Sequence, residues 1–254
     1  MHIPDGFLNN SVSVGLIGVA ATAVVAAFRR VRAAFLEKVP VLKLRLATFP
    51  NLSDGQSMTL QSRLSKIGRE KVWKMASIGS LIFSAQMVNF PIGGGTSGHL
   101  LGGVLAALLI GPFEALLIMT VILVTQSVFF GDGGIVALGA NIVNMGVIGA
   151  YGGYLFFRFL RKGKRDVSTG FLPSVFVAAW VSVILASVAA SFEIAFSGTR
   201  PLAIVLPAMT LTHILIGLME GVITTAVLWI FLRNKWPIAV TDTVHQNKNI
   251  DGYE

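Results

Sequence analysis

Four histidines and no cysteine set the limits of the chemistry open to this 254-residue chain. Disulfides and thiolate sites are excluded, so any transition-metal site must use nitrogen and oxygen donors. His245 stands in a polar C-terminal stretch and reads as a solvated residue. His2, His99 and His213 stand at or within apolar runs. Position two has a particular capacity. The Met1 amine, the His2 amide nitrogen and the His2 imidazole Nδ1 can close a five-membered and a six-membered ring around one ion. Deprotonating the amide requires an ion that strongly favours nitrogen, such as Ni2+ or Cu2+. Such a chelate favours a square plane, whose fourth corner another imidazole would fill. The competing reading is an exposed terminal histidine. The bulk of His2 disfavours removal of the start methionine. MHIPDGFLNN lacks the basic start of a cleavable signal peptide, and the first apolar run ends at Arg29-Arg30. The mature chain is therefore expected to begin at Met1.

The elements that would position these groups follow from composition. Hydrophobic residues make up 54% of the chain and charged residues 13%, about half the roughly 25% charged share of soluble domains. A mean hydropathy of +0.75 suits a bundle solvated by lipid. Seven apolar segments run approximately over 11–28, 73–91, 98–110, 112–130, 134–157, 171–197 and 203–232. The expected fold is an all-α polytopic membrane protein, a bundle of seven transmembrane helices. The third segment is short for a full span, and Gly111-Pro112 after it predicts a tight turn. One long broken helix is the alternative.

The net charge of +8 does not point to nucleic acid, because the basic residues cluster between apolar runs. All lysines and arginines except Arg200 fall between segments one and two or at the very start of two (Lys74), between five and six, or after seven. Seven spans put these clusters on one side, which the positive-inside rule makes cytoplasmic. The N-terminus is then outside and the C-terminus cytoplasmic. Residues 1–10 form a metal-chelating segment and 11–232 the transmembrane bundle, with a basic cytoplasmic loop over about 29–73. Residues 233–254 form a polar cytoplasmic tail. Within the loop, 42–72 is the least apolar stretch. It reads either as a disordered loop or as a loop with a basic amphipathic helix around 58–71 lying on anionic membrane lipid.

Gly93-x-Gly95-x-x-Gly98 matches a dinucleotide fingerprint only literally, since no strand precedes it and it lies between spans. It reads as a tight non-helical loop, with His99 at the following helix start. Such backbone at membrane depth must be buried in protein or line a cavity. Polar residues within spans are Asn89, Gln126, Asn141, Asn144, His213 and Glu220. For Gln126, Asn141 and Asn144, hydrogen bonding between helices competes with contact to a metal. Asn89, Ser97, Asn141 and Asn144 are candidates to support the ligands without touching the ion. His213 and Glu220, seven apart, share a helix face and suit a structural or coupling role. Ala23 and Ala27 form a small stripe suited to close packing, within the chain or against a partner.

MHIPDGFL, FSAQMVNFPIGGGTSGHLLGG, LLIGP, FFGDGGIVALGANIVNMGVIG and HILIGLMEG together resemble the CbiM/NikM family. These are the metal-capture subunits of energy-coupling-factor transporters, importers of the ABC type. The resemblance runs through most of residues 1–230. It implies that Met1 and His2 are the chelating terminus and that His99 supplies the fourth nitrogen. It implies Ni2+ or Co2+ as transported substrate, no organic cofactor, and a place in a prokaryotic cell (inner) membrane. It also implies separate partner chains: a transmembrane coupling (T) subunit, two ATP-binding subunits and in some systems a small accessory membrane subunit. The absence of a GxxxxGK[ST] motif agrees with ATP hydrolysis elsewhere, so the chain is not expected to be an enzyme. In such proteins Ala23 and Ala27 would face the coupling subunit. Residues 42–72 look like an insertion relative to the family. Two other readings are capture of a non-metal micronutrient and a membrane assembly protein without substrate.

Overall fold

Helix α1 (Asn10–Phe35) starts where the Asn9 side chain accepts the Val12 N–H at 2.9 Å. This asparagine cap satisfies one of the donors a helix start leaves free. The computed structural model describes residues 2–43, 57–88, 90–92, 96–162 and 167–240. After α1 comes an antiparallel hairpin of β1 (Leu36–Lys43) and β2 (Ser57–Leu64), with Leu36 opposite Leu64. The amphipathic helix considered for 58–71 therefore does not form over 58–64. Those residues are extended, and helix α2 (Lys66–Gln86) begins only after the Ser65 cap, whose Oγ accepts the Gly68 N–H at 2.9 Å. Met58 and Leu60 alternate with polar neighbours at the strand period of two, which is the signal that competed with a helical reading.

The next hairpin, β3 (Phe90–Ile92) with β4 (Thr96–Gly98), is followed by four non-helical residues and the short helix α3 (Gly103–Ile110). All eight residues of α3 are buried. The tight turn expected at Gly111-Pro112 is present. Gly111 has φ +118°, and Pro112 opens α4 (Pro112–Thr125), which continues as π-helix to Phe130. Lengths place the loop before α3 in depth. The rod Pro112–Phe130 has 19 residues, about 28 Å at 1.5 Å per residue, whereas α3 rises only about 12 Å. The chain must therefore descend into the bundle before α3 begins, and residues 99–102 make that descent.

Helix α5 (Leu138–Asn141), a π-helical stretch (Ile142–Gly152) and α6 (Gly153–Leu160) form one rod over 138–160. A Cβ on Gly103 would stand 2.9 Å from Ala150, so close seating of α3 on this rod depends on a residue without a side chain. Helices α7 (Phe171–Phe196) and α8 (Leu202–Arg233) pack along each other and complete the bundle.

The seven segments read from sequence correspond to seven helical rods among the described residues, with shifted ends. The first runs on to Phe35, the third starts at Gly103 rather than 98, and the fifth covers 138–160. Four rods, Asn10–Phe35, Pro112–Phe130, Phe171–Phe196 and Leu202–Arg233, are individually long and apolar enough to cross a membrane. On α1, Val14, Val19, Val25 and Phe28 lie open, as expected of a helix facing lipid. Ala27 is fully buried inside the bundle and Ala23 is half-buried. Ala27 thus packs within its own chain, one of the two alternatives read from the sequence, and the open face of α1 belongs largely to larger apolar residues.

Candidate metal centre

The first residues do not hang free at the bundle end. His2 is 2% exposed and Ile3 is fully buried. Asn141 explains why. Its Oδ1 accepts the Ile3 N–H at 2.9 Å and its Nδ2 donates to the Ile3 carbonyl at 3.1 Å. The Gly134 N–H donates to the same carbonyl at 2.9 Å. An amide side chain offers an acceptor oxygen and two donors, so it can pair with both backbone polar groups of one residue of the inserted segment. Two residues on, the Asp5 carboxylate accepts N–H bonds from Val136 at 2.8 Å, Ile135 at 3.2 Å and Ala137 at 3.4 Å. These amides lead into the 138–160 rod, where an acidic group is favoured by the helix dipole. The Thr199 hydroxyl donates to the Phe7 carbonyl at 2.6 Å, tying the segment to the start of α8 as well.

His2 is thereby brought over the glycine-rich turn. Gly133 has φ +89°, and a Cβ there would stand 3.3 Å from the His2 ring and 3.1 Å from the Asn141 amide. A side chain at 133 would be strained by its backbone angle and would press on both groups. The His2 Nδ1 lies 2.9 Å from Asp132 Oδ1, so Nδ1 carries the proton of this hydrogen bond. Among the described residues, the His2 Nε2 is buried without a hydrogen-bond partner.

His99 reaches the same place from the opposite direction, on the descending loop. It is fully buried, and its ring centroid is 4.5 Å from that of His2 at an interplanar angle of 30°. His99 Nδ1 donates to the Leu100 carbonyl at 2.7 Å. A carbonyl only accepts, so the proton sits on Nδ1 and the lone pair is on Nε2. That Nε2 also has no hydrogen-bond partner among the described residues. Two neighbouring buried imidazoles thus each have an unused Nε2. A buried polar atom without a partner is uncommon and calls for a ligand.

Electrostatics keep the His2 ring neutral. Burial pulls the His2 imidazole below the ordinary histidine value of 6.5, against the opposing hydrogen bond and charge of Asp132. Neutral imidazoles are the metal-binding form. The sign of the pH effect follows. The unfolded chain takes up protons first, so the lowered folded value contributes stability that is full above about pH 6.5 and is lost on further acidification. Hydrogen-exchange protection of residues 2–8 in the metal-free chain should be flat above that pH and fall below it. Protection that rises on acidification would contradict the burial of a neutral His2 ring.

The remaining sequence candidates divide. Asn141 holds the N-terminal peptide rather than joining helices. Asn144 does join helices: its Nδ2 donates to Glu193 of α7 at 2.7 Å. Gln126 donates to Gln86 at 3.2 Å. Met1, Asn89 and His245 lie outside the described residues, as does the Ser97 side chain, although Ser97 belongs to β4. His213 is fully buried on α8, with Nδ1 bonded to the Met209 carbonyl at 2.7 Å. Asp5 and Asp132 were missed as functional residues. Both stand in the quoted motifs, but nothing in their spacing says that a segment 130 positions away lies against them. Among the described residues, no three His, Asp or Glu side chains come together as a metal-ligand set. Side chains alone supply two imidazoles, so a four-nitrogen site here requires main-chain nitrogens.

Residues 57–238 match the family model described as CbiM, cobalt uptake substrate-specific transmembrane region. The chain belongs to this CbiM family. A putative fused nickel transport protein NikMN of Archaeoglobus fulgidus is 36% identical over 229 residues, covering 89% of this chain and 64% of the relative. The chain thus spans less than two thirds of that relative's length. A putative metal transport protein of Haloquadratum walsbyi is 32% identical over 229 residues, with 89% and 88% covered. The cobalt transport protein CbiM of Sorangium cellulosum is 33% identical over 164 residues, with 63% and 72% covered. A crystal structure of a transition metal transporter superposes with a TM-score of 0.72 at 26% identity, covering 92% of this chain and 93% of that one. A truncated transition metal transporter gives 0.73 at 27% identity, with 93% and 100% covered. This CbiM-family bundle therefore shares both its sequence family and its helical arrangement with proteins named for metal transport.

Proposed function

We propose that this CbiM-family chain captures Ni2+ or Co2+ as a transported substrate through the Met1 amine, His2 and His99. The observation that carries the proposal is the pair of buried imidazoles with ring centroids 4.5 Å apart, of which His99 has an Nε2 without a hydrogen-bond partner among the described residues. His99 Nε2 is the fourth nitrogen. The amine, the His2 amide and the His2 Nδ1 are the other three, and ligation through Nδ1 displaces the Asp132 hydrogen bond. The named relatives support cobalt or nickel rather than an organic micronutrient. Metal titration of the purified chain, read by visible absorption, tests this directly. One tightly bound ion per chain is the expected result, and a chain that binds none would overturn it.

The proposal extends to orientation and partners. With the N-terminus outside, the basic clusters face the cytoplasm, and the metal seat opens outward. Single cysteines at Ser11 and Ser65 are then expected to label from opposite sides of the membrane. Labelling of both from one side would refute this topology. Import against a gradient needs an energy source, which we assign to a separate coupling subunit and two ATP-binding chains. Metal uptake should require those partners to be present.

A further inference from the structure

The loop that carries His99 is held at two successive peptide units from two helices. Glu220 of α8 is 3% exposed. Its Oε2 accepts the Leu101 N–H at 2.9 Å, and its Oε1 accepts the Gly102 N–H at 2.6 Å. From α2, the Gln86 Nε2 donates to the Leu101 carbonyl at 2.7 Å, and Gln126 donates to Gln86 behind it. The Leu100 carbonyl that receives the His99 Nδ1–H and the Leu101 N–H that Glu220 accepts belong to the same peptide group. The bonds therefore run in series: imidazole N–H to carbonyl, through the conjugated amide, and from its N–H to a buried carboxylate.

A carboxylate on an amide N–H pushes electron density toward that amide's oxygen, since the C–N bond has partial double-bond character. The oxygen becomes a stronger acceptor for the imidazole N–H. The imidazole then holds its proton on Nδ1 more firmly and offers a more electron-rich lone pair at Nε2. Metal-binding histidines commonly give their second N–H to a carboxylate or carbonyl, which fixes the tautomer and raises ligand basicity. Here both devices are joined by one peptide plane. We propose that Glu220 is a positioning residue for His99, acting through the Leu100–Leu101 peptide to orient Nε2 and strengthen it as a metal ligand. This rests on the metal reading of His99 given above. It also makes α8 the helix whose displacement would be carried to the metal.

The simpler role for Glu220 is to cap α3, whose first turn it faces. A double-mutant cycle separates the two, because capping affects folding while the proposed role acts only through His99. Ni2+ affinity would be measured by titration of the full chain for wild type, Glu220→Gln, His99→Ala and the double variant. Glutamine keeps the shape but turns a donor toward a backbone N–H and removes the charge. Glu220→Gln is expected to weaken binding about 10-fold to 100-fold and to move the visible band of the Ni2+ complex to lower energy. In the His99→Ala background the same substitution should change affinity less than about twofold. Glu220→Asp keeps the charge with a shorter reach and should give a smaller loss with the same background dependence, so it serves if the glutamine variant does not fold. Equal losses in both backgrounds, or no loss in the wild-type background, would overturn the role of Glu220 while leaving the His99 site standing. Wild-type affinity in His99→Ala itself would overturn both.

Discussion

Replacing His99 with alanine is expected to weaken metal binding about 100-fold, roughly 2.8 kcal/mol. The loss has two physical parts. One of four nitrogens disappears, and with it the only ligand supplied by the bundle rather than by the inserted terminus. The other three nitrogens would still bind, but on a segment no longer cross-linked to the loop by the ion. The metal-loaded His99→Ala chain should therefore also be cut faster near its N-terminus than the loaded wild type. His213→Ala provides the contrast. His213 is buried on α8 with its Nδ1 committed to Met209, and its removal should leave affinity within about threefold, as expected for a residue that is not itself a ligand. If His213→Ala abolished binding and His99→Ala did not, the assignment of the fourth nitrogen would be wrong. Isothermal titration of the purified variants makes the comparison.

Adding one residue before Met1 is expected to cost still more, about 1000-fold or beyond, because preorganised chelation is lost together with a ligand. The amine must stand one residue ahead of His2 for the five-membered ring to close. An extended chain keeps His2, His99, the Asn141 clamp on Ile3 and the Asp5 anchor, yet presents an amide where the amine was. The added atoms must also fit where His2 and His99 leave little room, since both rings are almost wholly buried. The measurement is Ni2+ affinity of a chain carrying an extra residue against one in which the extra residue has been removed by a protease. Equal affinity in the two would exclude the terminal amine as a ligand. Recovery of tight binding after cleavage is the outcome the chelate requires.

How much of this was legible in the residues depends on the range of the interaction involved. Composition and the spacing of apolar runs were enough for a lipid-solvated bundle with seven helical rods, because hydrophobic periodicity and span length are local properties. The turn at Gly111-Pro112 was legible for the same reason: a positive φ and a proline at a helix start are demands of two adjacent residues. His2 declared its chemistry through its position beside a chain terminus, and His99 declared its place at the foot of a glycine-rich loop.

Local pattern was less reliable where two periods overlapped. Residues 58–64 satisfied a loose helical reading, but they pair with Leu36–Lys43 as a strand. Pairing partners from Leu42, opposite Met58, back to Leu36, opposite Leu64, decide that outcome. Ala27 looked available to a partner because spacing shows which residues share a face of a helix, not which neighbour covers that face. For Asn141 the sequence left a bond between helices, a metal contact and a supporting role open, and the structure has it bind the Ile3 backbone.

From the sequence alone came the donor types, the adjacency of His2 to Met1, and the membrane character of the scaffold. Only the tertiary structure decided that His2 and His99 meet, that Asp5 and Asn141 bind the inserted segment, and that Glu220 reaches the peptide behind His99. These contacts join positions 97 to 138 residues apart, and directional bonds of about 3 Å depend on helix depth and rotation. A shift of one residue in α3 or α8 would leave every local pattern intact and separate the groups. That is why candidate donors could be named from their chemistry and a resemblance, while the groups that hold His2 and His99 in place required the fold.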